Sequence, residues 1–184
     1  MGGAKVSLVK FDLNGLLASM TTGENGLYTF ASAEHVSFSG ALVSVVLPGY
    51  FTETRYILMG QHRTLDFVLE RAEAIPFGQT VRRQVGGEAR CASLGYGGMG
   101  GAFCRRLALT VPASGALAVS LASIPRSPVD ITILRPDGTI GVYASTNTVP
   151  LTVAIAVEAG STYQIDAISP DQVAREFELT TTWQ

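Results

Sequence analysis

The groups able to do chemistry in this chain are few and scattered. Gly95-Tyr96-Gly97-Gly98-Met99-Gly100 has the G-x-G-x-x-G spacing of a loop that cradles phosphate. Such a loop works when a strand leads into it, a helix N-terminus receives the phosphate, and an acidic residue about 20 positions on holds the ribose. Here Glu88-Ala89-Arg90-Cys91 precedes the run and the alternating Leu107-Ala108-Leu109-Thr110-Val111 follows it, with no Asp or Glu between Glu88 and Asp130. The run therefore reads as a glycine-rich surface loop, where glycine relieves steric limits on the backbone. Cys91 and Cys104 flank it. Joined, they would close a short ring and stabilise by about 3 kcal/mol on chain-entropy grounds; unjoined, they would be two separate buried thiols. Their closeness, with no further metal ligand nearby, favours the bridge. The histidines, His35 and His62, lie far upstream.

Carboxylates give no stronger signal. Asp12 with Asn14, and Asp130 with Asp137, could lend oxygens to Ca²⁺, yet neither pair has the ligand density of an EF-hand loop, and both read as turn residues. No G-x-S-x-G elbow or H-E-x-x-H helix occurs, and nothing nominates a Ser/His/Asp set. The expectation is a chain with no catalytic residue, no metal and no cofactor. Tyr50, Phe51 and Tyr56 gather around Pro48-Gly49. Exposed, they would form a platform for sugar rings or for a partner's loop; turned inward, they would cap the end of a sheet. Trp183 continues the phase of Phe177 and Leu179 and is expected in the core.

The elements that would position these residues follow a period of two, punctuated by Gly, Pro and Asx-Gly, which argues for antiparallel strands. Leu107, Leu109 and Val111 share one face, and Leu117, Val119 and Leu121 repeat it after Pro112-Ala113-Ser114-Gly115. Val129, Ile131 and Ile133 alternate up to the turn Pro136-Asp137-Gly138. Leu151 to Val157, Tyr163 to Ala167 and Phe177 to Trp183 complete six strands, which read as one sandwich. Upstream, strands are expected at Val6–Leu8, Leu16–Thr22, Leu27–Phe30, Ala41–Leu47, Arg55–Met59 and Thr64–Leu69, with a short helix over 63–74 as the alternative for the last. The fold expected is all-β: two small antiparallel β-sandwich domains, 1–74 and 83–184, joined by a short linker at 75–82.

Bulk composition agrees. The 184 residues are 47% hydrophobic and 15% charged, well below the roughly 25% charged of an average soluble domain, and globular rather than disordered. A net charge of -2, with only the short pairs Arg82-Arg83 and Arg105-Arg106, disfavours nucleic-acid binding. The longest apolar run, Val149 to Val157, falls short of the roughly 18 residues of a membrane span. Met1 leads straight into a strand-like pattern without the apolar region of a signal peptide.

Two family likenesses are carried by these motifs. Residues 3 to about 70 resemble the carboxypeptidase-regulatory-like, prealbumin-like domain. The carrying residues are Gly3-Ala4-Lys5-Val6-Ser7-Leu8, Thr21 through Phe30 around Gly23-Glu24-Asn25-Gly26, Leu42 through Tyr50, and Thr64 through Leu69. Members usually begin with one further strand. Either that strand lies outside this chain, or the first sandwich lacks its N-terminal strand and presents an open edge, which is a template for pairing. Residues 103–184 resemble the bacterial pre-peptidase C-terminal domain through Gly115-Ala116-Leu117-Ala118-Val119, Val129 through Ile133 with Asp137-Gly138, and Val157 through Ile165. Both resemblances imply an accessory module of a secreted or surface-associated bacterial protein, its leader not in this chain. The open edge of the first sandwich would favour a protein partner or self-association through β-strand pairing. The alternatives are a carbohydrate-binding module using Tyr50, Phe51 and Tyr56, and a fragment of a secreted hydrolase whose catalytic part is elsewhere.

Overall fold

The computed structural model describes residues 2–10, 16–30, 40–47, 49–58, 64–86, 90–91 and 102–184. Among them every regular element is a strand, and the chain divides into two compact units, Met1–Arg71 and Ala72–Gln184. Among the described residues no helix is long and apolar enough to cross a membrane.

In the first unit β1 (Lys5–Lys10), β2 (Leu16–Thr21), β3 (Gly40–Val46) and β4 (Glu53–Leu58) form one antiparallel sheet in the order β2-β1-β3-β4. The alternation of Val6 and Leu8 puts both on the face shared by Val43, Val45 and Ala41, and all five are buried. Residues 26–30 and 64–70 are not strands; they run extended over this face, where Tyr28, Phe30, Leu65, Phe67 and Leu69 pack on it. The Tyr28 hydroxyl ties the two segments by donating to the Leu65 carbonyl at 3.2 Å. No helix forms over the described part of 63–74. β1 is flanked on both sides by strands, so an edge left by a missing first strand does not fall on β1; the sheet's edges among the described residues are β2 and β4.

The second unit is a two-layer sandwich. Its strands are β5 (Glu73–Ile75), β6 (Thr80–Val85), β7 (Arg90–Cys91), β8 (Ala102–Thr110), β9 (Gly115–Ile124), β10 (Val129–Leu134), β11 (Ile140–Thr146), β12 (Leu151–Val157), β13 (Thr162–Ser169) and β14 (Arg175–Trp183). One sheet runs β11-β10-β13-β8-β5 with β7 also on β8; the other runs β12-β9-β14-β6. Every described pairing is antiparallel except β5 with β8. Leu107, Leu109, Ile131, Ile133 and Ile165 of the first layer meet Leu117, Val119, Leu121, Phe177 and Leu179 of the second, each essentially sealed from water. Burying such a side chain contributes about 1.5–3 kcal/mol, so this inward alternation supplies the main driving force for the unit.

The segment 75–82 is not a linker. It completes β5 and begins β6, which pairs with β14 over Val81↔Leu179 and Val85↔Arg175. Val81 and Val85 point into the core, while Arg83, in the same phase, sits at the sheet edge and reaches Glu73. The Arg pair therefore masks a strand. β11 was also absent from the sequence expectation: its residues are nearly all half-buried, without a clear alternation. The hairpin before it forms as the Pro136-Asp137-Gly138 signal predicts. Gly138 takes φ 84° and donates to the Arg135 carbonyl at 2.8 Å, and the Asp137 carboxylate accepts from the Thr139 amide at 2.9 Å.

Candidate functional site

Of the aromatic cluster, the structure describes the side chains of Tyr50 and Phe51. Tyr50 is half-buried in a one-residue bridge to Arg71, its amide donating to the Leu47 carbonyl at 3.0 Å. Phe51 is only 6% exposed, with its amide bonded to the Glu70 carbonyl, so it belongs to the interior and offers no ring face to a sugar. Tyr56 pairs with Leu42 in the β3–β4 ladder, and its side chain is outside the described residues. Trp183 departs from its core expectation: at 40% exposure it packs against Phe77, the rings tilted by 43° with centroids 4.7 Å apart. Strand phase points it inward, but Trp183 lies opposite Leu117 near the end of the ladder, where the core runs out.

Asp130 and Asp137 do not converge. Asp130 is fully buried near the start of β10, where the Tyr143 hydroxyl reaches it at 3.3 Å; Asp137 serves the hairpin at the opposite end. Asp130 belongs to a polar strip on the second face of its sheet. Register aligns Tyr143, Thr132, Asp166 and Arg106 across four strands, and Gln164 donates to Asp166 at 2.8 Å. Among the described residues no three His, Cys, Asp or Glu side chains stand together as a metal site. Asp12, Asn14, His35, His62 and the Gly95–Gly100 run lie outside the described residues. Cys104 is buried beside Ala102 and Ile168, and β7 sets Cys91 opposite Ala102, two positions from Cys104 along β8.

The arginine pairs are engaged structurally. Glu73 of β5 accepts from Arg83 of β6 at 2.6 Å and from Arg105 of β8, so one carboxylate bridges both layers at this side of the sandwich. Burial acts to raise the Glu73 pKa, but hydrogen bonds from Arg83 and Arg105 and their charges outweigh it and hold it below its ordinary 4.5. Arg82 pairs with Glu176 at 2.9 Å on the surface. Arg175, buried, donates to the Pro128 carbonyl at 2.9 Å and to both Asp171 oxygens at 2.5 Å.

The opposite side of the sandwich differs in kind. It is formed by β11 and β12, the outer strands of the two sheets. No Asp, Glu, Lys, Arg or His occurs from Ile140 to Val157. β12 alternates inward Leu151, Val153, Ile155 and Val157 with exposed Thr152, Ala154 and Ala156, and its pairing with β9 runs without a register shift. Beside its start lies an open, mostly apolar groove of about 380 Å³, lined by Ala122, Ser123, Ile124, Pro125, Arg126, Val149 and Pro150. This smooth edge is the feature best suited to binding, and sequence reading missed it. Its signal was the long uncharged run itself.

No family model matches the chain, and no curated protein matches it. Among solved structures, the pre-peptidase C-terminal domain of a collagenase from Bacillus anthracis is similar at TM-score 0.49 and 12% identity, covering 64% of this chain and all of that one. A mannanase with a CBM35 module from Podospora anserina is similar at TM-score 0.29 and 14% identity, over 58% of this chain and 28% of that one. The insecticidal delta-endotoxin Cry8Ea1 from Bacillus thuringiensis is similar at TM-score 0.30 and 10% identity, over 97% and 42%. The first carries the name of the domain type that the motifs in residues 103–184 suggested.

Proposed function

We propose that this chain is a non-catalytic accessory module of a secreted or surface-associated bacterial protein, and that it works by strand pairing at the uncharged side of its second unit. One observation carries the reading. Among the described residues β12 has a strand partner on one side only and carries no charge, proline or bulge, whereas most natural edges are blunted by charge, proline, bulges or shortness. The groups exposed along such an edge are backbone donors and acceptors, which a further strand satisfies. A photo-cross-linking amino acid placed at Ala154 in the protein expressed by its host tests this. The expected product joins Ala154 to a defined extended segment, identified by mass spectrometry, while the same probe at Glu178 gives none. Equal labelling from both positions removes the edge from the account.

The extracytoplasmic setting goes with a second proposal, a Cys91–Cys104 disulfide. The β7–β8 register and the absence of a free cysteine among the described residues support it. Non-reducing peptide mapping is expected to recover the two cysteine peptides joined, with a loss of about 3 kcal/mol in stability on reduction. Two titratable thiols in the native protein would defeat it.

A further inference from the structure

The second unit has its open edges at two sides, and they are guarded unequally. β5 is three residues long, and β6 carries Arg82 and Arg83, both in ion pairs. β11 carries a bulge at Gly141, where its ladder with β10 shifts between Ile133 and Leu134. β12 has no such protection: seven residues with no charge, no proline and an unbroken register.

We infer that β12 pairs antiparallel with β12 of a second copy of this chain, making one continuous sheet across a two-fold axis at Ala154. This deepens the interaction reading and rests on it. The sequence of β12 is symmetric in kind about that residue. In this register Leu151 lies opposite the second copy's Val157, Thr152 opposite Ala156, Val153 opposite Ile155, and Ala154 opposite itself. Aliphatic residues meet aliphatic residues on the inner face, and small residues meet small ones on the outer. Leu151 and Val153 are only half-buried in one copy, whereas Ile155 and Val157 are buried, so each exposed half is set against a covered half.

Charge selects a second copy over an unrelated strand. One residue past β12, exposed Glu158 of the second copy comes level with Pro150. Pro150 lines the groove whose single charged residue is Arg126, also exposed. Neither Glu158 nor Arg126 has an ion-pair partner among the described residues. The two-fold axis generates this Arg126–Glu158 approach twice. The contact uses one edge per copy, so assembly closes at two. A seven-residue strand spans only roughly 24 Å, which places the pair among small interfaces and makes the dimer concentration-dependent.

Size-exclusion chromatography with light scattering on the full chain, from micromolar to near-millimolar protein, reads this directly. The wild type is expected to pass from monomer to dimer. Ala154→Lys and Ala154→Glu each place like charges face to face and are expected to stay monomeric, while an equimolar mixture of the two forms a heterodimer. Arg126→Glu or Glu158→Arg alone weakens the dimer roughly tenfold, and the double exchange restores it. All these positions are solvent-facing, and unchanged circular dichroism and melting confirm that each variant folds. A wild type that stays monomeric throughout, an Ala154→Lys variant that dimerises normally, or growth beyond two copies overturns the inference. A monomer whose Ala154 still cross-links to another protein overturns self-pairing and leaves the interaction reading standing; a chain that does neither overturns both.

Discussion

At the scale of single residues, the charged groups of the second unit act as structural ties. Glu73 is the clearest. Its pKa is depressed in the folded chain, so it adds stability above its unfolded value of about 4.5, and that stability is lost as pH falls through the lower folded value. Glu73→Gln is expected to lower the urea midpoint at pH 7 and to flatten the acid limb of stability against pH below 4.5; an unchanged acid limb would show that the tie contributes nothing. Arg175 is the more demanding case, being buried while Asp171 is partly exposed. Asp171→Ala leaves the guanidinium with the Pro128 carbonyl alone and is expected to cost about 1–3 kcal/mol in chemical denaturation. Gly141 makes a third point. A methyl group there would lie 2.4 Å from the Ile155 side-chain tip and 3.3 Å from the Ile133 carbonyl, so Gly141→Ala is expected to destabilise by about 1–3 kcal/mol through overpacking. Trp183 is the chain's single tryptophan and is part-exposed, so its emission is expected to be red-shifted from that of a buried indole and accessible to acrylamide.

At the scale of elements, what the sequence made legible depended on whether a strand is buried on one face only. β9 alternates sealed Leu117, Val119 and Leu121 with half-exposed neighbours, and its period is plain. β12 and β14 read as easily. β13 is buried on both faces, because Gln164, Asp166 and Ile168 face the polar strip while Tyr163, Ile165 and Ala167 face the core; its hydrophobic period showed only the second set. β6 was hidden because an edge arginine can keep its stem in the core and its head at a carboxylate. Residues 27–30 and 64–70 alternate like strands and pack their apolar residues, yet they lie outside the ladder; period two reports a buried face, and hydrogen-bond partners are a separate matter. The candidate site was the least legible feature. Whether a strand is central or outermost depends on pairings distant in sequence, and nothing inside Leu151–Val157 encodes its place beyond the absence of charge.

At the scale of the whole molecule, the all-β class followed from composition and period, while the boundary between units moved. Residues 72–82 belong to the second sandwich because Ile75 and Val81 have core partners there. The strand order carries one more consequence. β13 lies between β10 and β8, and β14 lies between β9 and β6. The two strands that come latest in this unit, one in each layer, are therefore interior to both sheets. Until β13 and β14 have both left the tunnel, each layer exists as two separated pieces, and a pause in synthesis upstream of them cannot let the unit close. Proteolytic trimming should follow the same logic: loss of Arg175–Trp183 divides a layer down its middle, so a clipped chain is expected to unfold as a whole rather than fray from one end.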